Sequence, residues 1–91
     1  MKKLRPHVNC YGYKSEEDTI VFLGETESIH VRGNTNEILV LLQKCTGHSS
    51  IEEISDSLQS EIDGTLIQKI FVRLFRIGVL VDSRNLYNSF H

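Results

Sequence analysis

Leu66-Ile67-Gln68-Lys69-Ile70-Phe71-Val72-Arg73-Leu74-Phe75-Arg76-Ile77-Gly78-Val79-Leu80 is the stretch of this 91-residue chain whose reading decides the fold. At about 100° per residue, with Gln68 at the origin, Ile67, Ile70, Phe71, Leu74 and Ile77 centre near about 240°, while Val72 and Phe75 fall close to the origin. The apolar arc is about 240° wide, more than one core contact requires. What remains holds Lys69, Arg73 and Arg76, and no acidic residue occurs from Leu66 to Val81. The pattern predicts a helix with a core face, a second apolar flank and a basic stripe. It starts after Asp63-Gly64, with Thr65 and Gln68 at capping-box spacing, and stops at Gly78.

Toward the N-terminus, two more helices are predicted. Ser50 and Glu53 repeat the capping-box spacing ahead of a narrow stripe of Ile51, Ile54 and Leu58, which suits a short surface helix. Asn34 and Glu37 have the same spacing before Ile38, Leu41, Leu42 and Cys45, and Gly47 closes that helix. Before these helices the periodicity changes to that of strands. Ser28-Ile29-His30-Val31-Arg32 alternates, placing Ile29 and Val31 toward the core and His30 and Arg32 away from it. Thr19-Ile20-Val21-Phe22-Leu23 is a compact β-branched and aromatic run. Residues 4–13, with Pro6 and Gly12, read as one irregular edge strand, and residues 14–18 as a solvated turn. The fold class is therefore α+β and winged-helix-like: a three-stranded antiparallel β-meander followed by three α-helices. In that order the third strand has no later strand to cover its far edge, and such an edge accepts an extended peptide.

Composition narrows the function classes. A chain this short forms one domain that buries roughly 60–65% of its unfolded surface; residues 1–83 are assigned to it and residues 84–91 to a flexible tail. Ten Lys and Arg against twelve Asp and Glu give a net charge of −2, which does not indicate a general affinity for nucleic acid or anionic membrane. The longest apolar run, Ile38 to Leu42, is far below the ~20 residues that cross a bilayer, and Arg5, Pro6, His7 and Asn9 interrupt any signal-peptide core after Met1-Lys2-Lys3. A cytoplasmic location is expected. Cys10 and Cys45 lack zinc-ligand or redox spacing and read as reduced, half-buried thiols. His7, His30, His48 and His91 are not spaced as ligands, so no metal or other cofactor is expected. No Ser-His-Asp, paired-carboxylate or glycine-rich phosphate constellation occurs, and no catalytic residue is assigned.

The succession of Arg5-Pro6-His7-Val8, Ile20 to Glu25, Ile38 to Leu42, Ser50 to Ile54 and Phe71 to Leu80 resembles the precursor-peptide recognition domains of ribosomal peptide natural-product clusters. The pyrroloquinoline quinone peptide chaperone is the founding type of these PqqD-like elements. The nearest likeness is to the N-terminal recognition domain of azoline-forming cyclodehydratases, over roughly residues 5–82. Gly33-Asn34-Thr35-Asn36 departs from the Leu-Asn-x-Ser/Thr-Gly turn of the free-standing chaperones. The resemblance implies a non-catalytic module whose partners are a precursor leader peptide and a modifying enzyme such as a cyclodehydratase. The leader would add as a strand to Ser28, Ile29, His30, Val31 and Arg32 and pack against Gln68, Lys69, Val72, Phe75 and Arg76. The residues themselves name the same two elements, and the cations favour an acidic peptide.

Two readings compete. In the first, Val72 and Phe75 close over the core and the cations form a solvated face in which Arg73 and Arg76 offset the helix dipole. In the second, residues 50–77 form a DNA-binding helix-turn-helix, against which stand the acidic net charge, Val72 and Phe75 on the recognition helix, and the polar residues after Val81. A scaffold that pairs its own strand edges is a third class.

Overall fold

A computed structural model describes residues 4–24 and 26–83. Five strands and three helices follow one another as β1 (Pro6–Val8), β2 (Tyr11–Glu16), β3 (Thr19–Leu23), β4 (Ser28–Arg32), α1 (Thr35–Lys44), α2 (Ile51–Leu58), α3 (Gly64–Arg76) and β5 (Leu80–Asp82). The antiparallel meander β2-β3-β4 and the three helices are the α+β architecture that the periodicities predict.

The N-terminal segment departs from the expectation of a single strand. It breaks at Asn9-Cys10, and β1 leaves the meander to pair antiparallel with β5, with His7 opposite Val81. Pro6 is tolerated because β1 is a short edge, and its carbonyl still accepts from Gly47 N–H at 3.0 Å. The acidic stretch also differs from expectation. β2 continues through Lys14 to Glu16, with a register shift between Lys14 and Glu16, so only Glu17 and Asp18 make the turn. A bulge lets a strand bend and carry solvated charged residues without breaking the ladder.

The core lies between the inner face of the meander and the three helices. Ile20, Phe22 and Val31 meet Ile38 and Leu41 of α1, Ile54 and Leu58 of α2, and Ile67, Ile70, Phe71 and Leu74 of α3, all almost fully buried. Gly12 is required opposite Phe22, because a Cβ there would stand 2.6 Å from two carbons of its ring.

Helix starts differ in how much the sequence foretells them. Ser50 and Glu53 form the full reciprocal box, with Glu53 N–H donating to Ser50 Oγ at 3.2 Å and Ser50 N–H donating to Glu53 Oε1 at 3.0 Å. At α3 the cap is Asp63 and not Thr65: its Oδ2 accepts from the N–H groups of Thr65 and Leu66 at 3.0 and 3.3 Å. A carboxylate one residue ahead of the helix satisfies two orphan donors and the dipole together, which a Thr inside the first turn does not. Asn34 is the N-cap of α1, but its φ of 54° puts it in the left-handed region and its side chain makes no capping bond. The chain leaves β4 through left-handed Gly33 and Asn34, and Thr35 Oγ1 donates to the Glu17 carbonyl at 2.7 Å, anchoring α1 to the β2–β3 turn. Gly78, at φ 83°, ends α3 and turns the chain into β5.

Candidate functional site

In antiparallel strands successive residues direct their backbone groups alternately toward and away from the partner. Opposite ends of the β3–β4 ladder fix which is which. Gly24 N–H donates to the Glu27 carbonyl at 3.1 Å and Gly33 N–H to the Asp18 carbonyl at 2.7 Å, so 24–27 and 18–33 are bonded pairs. Between them the register is unbroken, from Leu23 opposite Ser28 to Thr19 opposite Arg32. Ile29 and Val31 therefore bond to β3, while Ser28, His30 and Arg32 turn their N–H and C=O groups outward. Side chains follow the same alternation: Ile29 and Val31 share the inner face with Phe22 and Ile20, and Ser28, His30 and Arg32 stand exposed on the outer one. β4 is an edge of its sheet among the described residues.

Helix α3 runs along this edge on the core side. Arg73 Nη1 donates to the outward carbonyl of Arg32 at 3.4 Å. Toward the β3–β4 hairpin, Ile77 and Gly78 share with Phe22, Leu23, Ile29, Asn9 and Cys10 an open recess of about 500 Å³. Arg73 and Ile77 are four residues apart, so the helix face they share is the one beside β4. Lys69 stands about 40° and Arg76 about 60° round the helix from Arg73. Lys69 and Arg73 also rim a smaller recess of about 210 Å³ floored by Ile38, Leu66, Ile70 and Leu74, with Asn34 at its mouth. Neither Lys69, Arg73 nor Arg76 meets a carboxylate among the described residues.

The structure thus sets Arg73, one of the three cations that the sequence reading weighs, against Arg32 of β4, with Lys69 and Arg76 on the neighbouring helix face, and adds Ile77 and the hairpin recess, which were not among the candidate site residues. The apolar flank is not beside the edge. Phe75 lies about 160° from Arg73 round the helix, and Gln68 about 140°. Phe75 is half-buried and packed against the core, so it belongs to the domain's own packing. Val72 is 53% exposed, on the outermost line of α3, where with Gln68, Lys69, Arg73 and Arg76 it lines a shallow recess. A sequence wheel fixes angles within one helix but not which angle faces the sheet, so nothing in the sequence set Arg73 and Ile77 apart from the rest of α3.

The thiols are not activated. Burial pushes Cys45 up to about 12, and its Sγ donates to the Leu41 carbonyl at 3.3 Å. Burial raises Cys10 as well. Among the described residues no cluster of His, Cys, Asp and Glu could hold a metal ion, and no helix is long and apolar enough to cross a membrane.

No family model and no curated protein matches the chain. Among solved structures it is similar to that of the heterocyclase TruD, with a TM-score of 0.66 and 18% identity over 87% of this chain and 11% of the other. It is similar also to a heterocyclase in complex with substrate and cofactor, with a TM-score of 0.66 and 20% identity over 88% of this chain and 11% of that one. The likeness is one of fold, to a small part of much longer chains.

Proposed function

We propose that this domain is a non-catalytic binding module, a PqqD-like recognition element that takes up the leader segment of a ribosomally made precursor peptide as an added strand and delivers it to a modifying enzyme such as an azoline-forming cyclodehydratase. The observation that carries the reading is the regular edge of β4, which no other strand covers among the described residues, with Arg73 of α3 against it and Lys69 and Arg76 on the neighbouring helix face, none of the three meeting a carboxylate among those residues. A likeness of fold to part of two heterocyclases supports the same context.

The energetics fit such a role. One anchored apolar side chain contributes roughly 1.5–3 kcal/mol before ordering costs, whereas micromolar binding needs about 8 kcal/mol. Backbone pairing with Ser28, His30 and Arg32, at about 0.5–1.5 kcal/mol per bond, closes the gap. Affinity then rests mostly on backbone, and the side chains set selectivity.

Titration of a labelled leader peptide from a candidate precursor checks the proposal. Saturable binding is expected, lost on N-methylation of the peptide residues that face Ser28, His30 and Arg32 and kept on N-methylation of those between. Loss without that parity would refute strand addition. Sequence-selective binding to duplex DNA at moderate salt, with no peptide binding, would move the function to the cationic face of α3 as a winged-helix regulator.

A further inference from the structure

The seam between β4 and α3 is asymmetric. Its hairpin end is the larger recess, walled by Phe22, Leu23, Ile29 and Ile77, with Asn9 and Cys10 as its polar members and no charged residue among the described ones that line it. At the other end, near Arg32 and Asn34, lies the recess rimmed by Lys69 and Arg73. Glu17 and Asp18 also stand at that end, but on the β2–β3 turn, where the Glu17 and Asp18 carbonyls are taken by Thr35 and Gly33 and the Asp18 carboxylate by Thr19. Neither forms an ion pair with Lys69, Arg73 or Arg76.

A strand added to this edge has only two side chains that point inward toward α3, those opposite Ile29 and Val31, because pairs across a ladder share a face. The first lies over the apolar recess and the second over the cations. We infer that the edge reads a two-position code: an aliphatic or aromatic side chain opposite Ile29 and a carboxylate opposite Val31, with one residue between them in the guest. An antiparallel guest carries them as acid-x-apolar, and a parallel guest in the reverse order. Arg73 is then a specificity-determining residue. In the free domain it occupies the Arg32 carbonyl, at 3.4 Å and in an exposed position, and is readily drawn to a guest carboxylate, which bonds a guanidinium more strongly than a neutral carbonyl does. This inference deepens the strand-addition reading and rests on it.

Selection from a displayed library of random twelve-residue peptides tests the code, using the full chain as bait. Enriched peptides should place Asp or Glu two positions from Leu, Ile, Val or Phe, in one order. Separating the pair by one further residue should raise the Kd about tenfold, and neutralising the acid should raise it about 2–5-fold. Arg73→Glu, checked for folding by circular dichroism, should select Lys or Arg at the acidic position. Extended peptides with alternating apolar residues but no acid preference, unchanged by Arg73→Glu, would overturn the code and leave strand addition standing. Enrichment at spacings of three and four would indicate a helical ligand and overturn both, as would the absence of any enriched peptide.

Discussion

Among the described residues the meander has two strands paired on only one side, β2 and β4, and they are built in opposite ways. By the same ladder parity, Gly12 and Lys14 direct the backbone of β2 outward, but a register shift between Lys14 and Glu16 breaks the edge within two residues. A bulge and charges at that point keep another chain from pairing there. On β2's outer face Tyr11 and Tyr13 pack at a centroid distance of 6.3 Å. β4 has five residues in unbroken register, no bulge and a helix beside it. One edge is blunted and the other is kept straight and open. A straight edge on one side only is the arrangement that strand addition at β4, as proposed, would use.

Proline placed on each edge breaks that comparison most directly. His30→Pro removes the central outward N–H of β4 and sets a ring in the path of a guest, while its bonds to β3 are untouched. Leader affinity should fall about 100-fold, from one lost hydrogen bond and the steric block. Lys14→Pro makes the same change at the outward position of β2 and should leave affinity within about twofold. Fluorescence anisotropy of a labelled peptide reads both; equal losses would mean that the two edges are not distinguished.

Phe75→Ala sharpens it from the helix side. Because Phe75 packs on the core across α3 from the edge, truncation should cost about 1–3 kcal/mol in a denaturant melt and leave the affinity of the folded fraction within about twofold. A large affinity loss with stability intact would return Phe75 to the site that the sequence assigns it.

How much of this was legible depends on whether the information is local. The alternation of Ser28–Arg32, the Ser50–Glu53 box and the order of strands before helices are written in neighbouring residues, and all three appear in the structure. The closing of β1 on β5 is not, since its partners lie more than seventy residues apart and both are three residues long. Short pairs of that kind have too few residues to show a period. For the site, the edge was readable and the facing side of α3 was not: apolar width drew attention to Val72 and Phe75, whereas the placement of β4 made Arg73 and Ile77 its neighbours.

A smaller effect belongs to the link that holds β4 straight into α1. At an ordinary N-cap, Asn and Ser are nearly equivalent. Asn34, however, is left-handed and makes no side-chain capping bond, so what it supplies is tolerance of positive φ. Asn34→Ser should therefore destabilise the domain by about 1 kcal/mol and Asn34→Gly should not, as measured by thermal unfolding. A neutral Asn34→Ser would restore the capping box with Glu37.

The smallest effect vanishes at neutral pH and concerns the closed region, where β1 meets the end of α1 through Val8 N–H and the Cys45 carbonyl at 3.3 Å. Burial holds the Cys45 thiol at about 12, against an ordinary value of 9.0. Between those values the unfolded chain has released this proton and the folded chain still binds it, so unfolding is linked to proton loss and stability falls as pH rises. Below 9.0 both states keep the proton and Cys45 contributes no slope. The stability difference between the natural chain and Cys45→Ala should thus be constant from pH 6 to 8 and shrink through pH 9 to 11, as urea melts of the two side by side would show. A thiol reagent at pH 8 should label the partly exposed Cys10 first. A difference that stayed flat to pH 11, or faster labelling of Cys45, would mean that the closed region opens readily, and that the contrast between a sealed pair of short strands and an accessible β4 is weaker than the geometry implies.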